Sequence, residues 1–147
     1  MDLHTRLIRK NFAVLLMLVS GVAWGAAYRP QRVVYDVDSG APAKWAVVLN
    51  NIGNHLQIVG ASHMHLVLVL HGDGVNLLAR ARTDVQLNRR LLHLLAQGVH
   101  IRVSQDALAE HGLHPDDIAD PGHWMLVKSG AAEIVHLERE GYFYIKP

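Results

Sequence analysis

The sequence predicts an α/β protein: a small three-layer sandwich around a mainly parallel sheet of about five strands. Three observations predict it. Short runs rich in β-branched and aromatic residues alternate with helix-like segments along the chain after residue 27. Met64 to Leu70 (MHLVLVL) is continuously apolar over a strand's length, the pattern of an interior strand covered on both faces. Between them, apolar residues from Trp45 to Val59 recur at helical spacing. Right-handed crossovers would then bring every strand-to-helix loop to one rim of the sheet.

Each element has its own warrant. Arg32 to Val37 (RVVYDV) reads as the first strand, and Asp38-Ser39-Gly40 as a turn. Pro42 suits the first turn of a helix, in which Trp45, Leu49, Ile52, Leu56 and Val59 form one face before Gly60 stops it. The second strand, Met64 to Leu70, is followed by a short helix over Val75 to Ala81. Thr83 is the predicted cap of a longer helix carrying Val85, Leu87, Leu91, Leu94 and Leu95, with Gly98 at its end. Val99 to Val103 is the third strand. A helical turn over Gln105 to His111 and a short piece from His114 lead to a turn at Pro121-Gly122. Trp124 to Val127 is the fourth strand. A helix from Gly130 through Ile134, Leu137 and Glu140 and a last strand, Tyr142 to Ile145, complete the pattern.

The first 27 residues read as a secretory signal. Arg6, Arg9 and Lys10 make a basic start, and Phe12 to Trp24 is an apolar run of 13 residues. Gly25-Ala26-Ala27 then supplies small residues before Tyr28. A spanning helix needs roughly 20 apolar residues, so cleavage after Ala27 is expected rather than retention as an anchor. That expectation makes residues 28–147 a single exported domain, placed in the bacterial periplasm with no stable membrane insertion after cleavage. The precursor carries 14 basic and 13 acidic residues. Losing Arg6, Arg9, Lys10 and Asp2 leaves 11 against 12, a net charge of about −1 with histidines neutral. No basic run offers a nucleic-acid footprint. The absence of cysteine removes disulfide staples, thiol nucleophiles and persulfides together.

In open α/β sheets, ligands sit outside the carboxyl ends of the strands. That rule selects Asp36, Asp38 and Ser39 after the first strand, His71-Gly72-Asp73-Gly74 after the second, Ser104 after the third and Ser129-Gly130 after the fourth. On the first helix, Asn50, Asn51 and Asn54 form a polar patch, with Asn50 and Asn54 one turn apart on a shared face. Gly72 and Gly74 permit close approach of a ligand or a neighbouring chain. The unpaired N–H groups of the following helix favour an anion, to which His71 could also donate. A purely structural alternative has Asp73 capping that helix and His71 bonding a nearby carbonyl. The stretch lacks the third glycine of a dinucleotide fingerprint. The ligand-binding candidates are therefore His71, Gly72, Asp73, Gly74, Asn50, Asn54 and Ser104.

Eleven histidines invite a test for metal or haem. His63-x-His65 would place two rings on one side of a strand, and His111-x-x-His114 lies near a helix end. Neither reproduces HExxH or a cysteine-assisted zinc site, so scattered surface or interface histidines are the reading adopted, with no metal ligand and no cofactor assigned. Ser104 has no GxSxG elbow around it, and a Ser104–His71–Asp73 assembly is not adopted, so no catalytic residue is assigned. Two other readings stay open beside a binding role: an enzyme using His71, and a metal or haem carrier using several histidines.

The segments RVVYDV, KWAVVLNNIGNHL, HLVLVLHGDGVNLL, GVHIRVSQDALAEHGL and AAEIVHLEREGYFYIKP, in that order, resemble the DsrE/DsrF-like family over about Arg32 to Pro147. They are most similar to its exported single-domain branch. The resemblance implies a small α/β fold, assembly as homotrimers or homohexamers, and a link to sulfur relay. In thiol-bearing members a cysteine just after the third strand carries sulfur as a persulfide. Ser104 holds that place here, and a hydroxyl cannot form a persulfide. The expectation is a periplasmic binding or accessory protein rather than an enzyme. Its ligand would be a small anion or sulfur-related molecule held by His71 and the Asn50/Asn54 face. Val47 and Val48, beyond the helix's core face, would be buried by another subunit.

Overall fold

The computed structural model describes residues 28–120 and 122–147. The leader expected over residues 1–27, and Pro121 of the expected turn, lie outside the described residues. Five strands form one sheet: β1 (Gln31–Val37), β2 (Met64–Leu70), β3 (His100–Ser104), β4 (Trp124–Val127) and β5 (Phe143–Ile145). Their order is β4-β3-β2-β1-β5 and every adjacent pair is parallel. Between them run α1 (Pro42–Val59), α2 (Asn76–Ala81), α3 (Val85–Ala96), α4 (Gln105–Glu110) and α5 (Gly130–Arg139).

The layering follows from the order of strands. From β1 to β4 the chain steps in one direction, so right-handed crossovers deposit α1 to α4 on the same face. The last connection must return across the sheet to reach β5 beside β1, and it places α5 on the opposite face. Strand alternation records both contacts. Val33, Tyr35 and Val37 of β1, with Leu66, Leu68 and Leu70 of β2, pack against Trp45, Leu49, Ile52 and Leu56 of α1 and Leu91 and Leu94 of α3. Val34, Val67 and Val69 face the other way, toward Ile134 and Leu137 of α5. β2 is buried throughout except at His65, as its unbroken apolar run requires.

Local chemistry sets most boundaries. Pro42 opens α1, and Gly60 closes it at φ 92° with its N–H donated to the Leu56 carbonyl over 2.9 Å. Val48 belongs to the core at 5% exposure, while Val47 is 51% exposed, so only Val47 is available to a second subunit. The cap of α3 is Asp84, not Thr83: its carboxylate accepts the Leu87 N–H at 3.0 Å, and Thr83 Oγ1 turns back to the Arg80 carbonyl. The segment after β2 begins as a 3-10 turn at Gly72–Val75 before α2 starts. No helix among the described residues is long and apolar enough to cross a membrane.

Candidate functional site

Five polar residues at the carboxyl rim gather on the α5 side of the sheet, around one buried carboxylate. Asp36 sits inside β1, two residues after Val34, so its side chain shares the α5 face. His71, two residues beyond Val69, lies on that face too, and β5 brings Tyr144 beside Val34. His71 Nε2 donates to Asp36 Oδ1 at 2.7 Å, and Tyr144 OH donates to Asp36 Oδ2 at 2.6 Å. Lys146 Nζ lies 3.4 Å from Asp36 Oδ2 and donates to Asp38 Oδ2 at 2.5 Å. Asp36 is 5% exposed and therefore depends on these donors.

Burial pushes the Asp36 carboxyl up. The hydrogen bonds from His71 and Tyr144 and the charges of His71 and Lys146 outweigh burial and hold it at about 2. The hydrogen bond to Asp36 raises His71 above the ordinary imidazole value, against the opposing pull of burial. The same carboxylate pushes the Tyr144 hydroxyl up to about 12, and the contact with Asp38 raises Lys146. With His71 protonated, two cations face two carboxylates, so the cluster is close to neutral.

A depression of about 390 Å³ opens beside it, bounded by Asp36, His71, Ala131, Ile134, Glu138 and Tyr144. The Asp36 bond occupies Nε2 of the His71 ring, and Nδ1 makes no hydrogen bond among the described residues. An imidazole oriented by a buried carboxylate can hold or move a proton at that atom. The approach of α5 fixes the ring from its other side. A Cβ on Gly130 would stand 2.4 Å from His71 Cβ, so only glycine permits the helix to start there.

The predicted site residues fall into three places. His71 faces the depression. The Gly72–Gly74 loop instead meets the end of β1: Gly72 has φ 49°, and a Cβ on Gly74 would lie 2.0 Å from the Val37 carbonyl oxygen. Its glycines thus accommodate the neighbouring strand of the same chain. Asp73 makes no cap; its carboxylate faces His111 Nε2 at 3.2 Å. His71 bonds a carboxylate rather than the carbonyl of the structural alternative.

Ser104 is the last residue of β3, 2% exposed, and its Oγ accepts the Ala107 N–H at 3.2 Å to cap α4. That engagement, with Asp73 turned to His111, leaves no Ser104–His71–Asp73 assembly. Asn50 and Asn54 are not part of the rim either. They line a groove between α1 and α3 on the other face, where Arg90 Nη2 donates to Asn50 Oδ1 at 2.7 Å.

His63 lies in the 3-10 turn Ala61–His63 before β2 and bonds the Val59 carbonyl, so it does not pair with His65 along a strand. Among the described residues no group of three or more His, Asp or Glu is placed to hold a metal ion.

Sequence reasoning named Asp36 and Asp38 among the rim loops without selecting them, and it missed Tyr144 and Lys146. A signal for Asp36 existed, because a carboxylate within RVVYDV must take one face of an interior strand and needs partners there. The partners themselves stand 108 and 110 residues away, and nothing local announces them.

A solved protein of unknown function from Methanobacterium thermoautotrophicum is similar to this chain at 26% identity and a TM-score of 0.70, with 80% of this chain and 99% of that one covered. A second protein of unknown function, from Bacteroides thetaiotaomicron, shares the fold at 19% identity and a TM-score of 0.60, over 80% and 95% of the two chains. No curated protein matches. The model of the DsrE/DsrF-like family matches residues 33–147, which takes in all five strands and all five helices apart from the first two residues of β1. The chain belongs to the DsrE/DsrF-like family.

Proposed function

We propose that this protein is an exported DsrE-like binding or accessory protein of the periplasm, homotrimeric or homohexameric, that serves sulfur metabolism without carrying sulfur covalently. The observation that carries this reading is the state of Ser104. If Ser104 holds the place of the family's persulfide cysteine, the position has passed from chemistry to structure. Its oxygen is buried and committed to the Ala107 N–H. No cysteine elsewhere in the sequence can take over.

The ligand in this reading occupies the depression beside His71 and is bound through Nδ1. Glu138 shares the wall, so a neutral molecule or a singly charged anion fits better than a dianion. The exposed Val47 of α1 and Phe143 of the edge strand β5, 51% and 73% exposed, are apolar surface that assembly would cover.

The test is mass spectrometry of the untagged protein recovered from the periplasm, before and after incubation with a polysulfide donor. The expected result is a trimer or hexamer of leaderless chains that gains no covalent sulfur. Detection of sulfur transfer by the purified protein alone would overturn the reading.

A further inference from the structure

We propose that the groove between α1 and α3 is a second ligand site, separate from the rim, that takes an oxyanion of the phosphate or sulfate type. The groove has a volume of about 420 Å³. Asn50 and Asn54 project from α1 on one side, and Arg89, Arg90 and His93 from α3 on the other, with no carboxylate among its lining residues.

Two independent features point to an occupant. The first is charge. Arg32, Arg80, Arg82, Arg102, Lys128 and Lys146 each have a carboxylate within 4 Å. Among the described residues Arg89, Arg90, Arg29, Lys44 and Arg139 have none, and of these five only Arg89 and Arg90 line one groove together. Both guanidinium groups border the same groove, and an anion held between them and the amides would offset their charge. Arg90 is also already oriented by its 2.7 Å bond to Asn50 Oδ1, so less freedom is lost when a ligand binds.

The second feature is Gly53, inside α1 and among the residues that line the groove. Glycine is the poorest helix former after proline. A Cβ here would meet nothing within 4 Å, so packing inside the chain gives no reason for it. A ligand lying on the helix backbone supplies one.

The oxyanion could be free, or it could head an organic molecule whose body follows the adjoining trough along Pro42, Ala46 and Leu87, which shares Gln86 and Arg90 with the groove.

Isothermal titration of the mature protein with inorganic phosphate, sulfate and n-butyl phosphate tests this, with chloride as the reference anion. Saturable binding is expected, weakened about ten-fold or more in the Arg89→Gln/Arg90→Gln double variant and unchanged in His71→Ala. Both arginines are exposed, so the double variant keeps its core. Equal affinities for inorganic and butyl phosphate identify a free oxyanion, and tighter butyl phosphate identifies an organic one. Gly53→Ala is expected to raise the melting temperature while weakening binding.

The proposal falls if no oxyanion binds better than chloride, or if the double variant binds as well as the parent. It falls equally if Gly53→Ala stabilises the fold with binding intact. Loss of oligomeric assembly in the double variant would show the groove to be a subunit interface instead. Because His71 is untouched in the arginine double variant and in Gly53→Ala, failure here leaves the rim reading standing, and failure at the rim leaves this one.

Discussion

The two faces of the sheet are built to different standards. On the α1–α4 face, four helices bury a cluster of 26 residues, whereas the lone α5 buries a cluster of five. On that thinner face the strands also carry charge: Arg102 of β3 pairs with Glu133 of α5, and the Asp36–His71–Tyr144 cluster lies at its rim. The difference teaches where a small parallel sheet can hold polar groups. A face sealed by four helices has no water for an ionised carboxylate. A face crossed by one helix leaves a flank at which a carboxylate can be buried, fully hydrogen-bonded and still within reach of a ligand.

The contrast can be broken most severely from the thick side. Leu68, 1% exposed in the middle of β2, has no route for collapse, and Leu68→Ala should cost about 3 to 5 kcal/mol in denaturant unfolding. Ile134→Ala on α5, at 9% exposure, should cost about 2 kcal/mol because the helix can settle toward the sheet. Equal losses would mean that the two cores are equally packed.

A second way is to force the thin face apart. Gly130→Ala drives a methyl group against His71 and should cost about 2 to 3 kcal/mol, with α5 displaced. His71 followed by NMR titration should then lose part of its raised pKa, since the Asp36 bond that raises it would lengthen. An unchanged titration would show that Gly130 does not position the ring.

The smallest effect sharpens the comparison through pH. Asp36 falls from its ordinary 3.8 to about 2 on folding, so its contribution is present above pH 3.8 and is lost as pH drops toward 2. The loss is of order 2 kcal/mol, shared with its donors. His71 is raised above 6.5, so its contribution is complete below that pH and is lost as pH rises through the folded value. Together they make a stability plateau between about pH 4 and 6.5, measurable by denaturant unfolding across the range. In Asp36→Asn that plateau should flatten on both sides. Persistence of the alkaline limb would place its origin outside this cluster.

Much of the architecture could be read from residue patterns, because its determinants are local. The 4, 3, 4, 3 spacing from Trp45 to Val59 names the buried face of α1, and each of those residues is buried. The unbroken run of β2 signals cover on both sides, and it has both. Thr83 and Asp73 misled for one reason: several polar residues beside a helix start are all chemically able to cap it, and the backbone path selects one. Ser104 was legible as the residue just past the third strand, whereas the structure makes it that strand's last residue and commits its hydroxyl to Ala107.

By itself, then, the sequence determined the alternation of elements, the interior strand, the principal helix face and the family, since each rests on spacing within a few residues. Only the tertiary structure decided which polar residues meet. It separated Asn50 and Asn54 from His71 by placing α1 and α5 on opposite faces of the sheet. It also gathered Asp36, His71, Tyr144 and Lys146 by pairing β5 with β1 across more than a hundred residues. The physical reason is that a strand's partner is chosen by the whole packing of the sheet, and a buried carboxylate takes its donors from whichever strand arrives beside it.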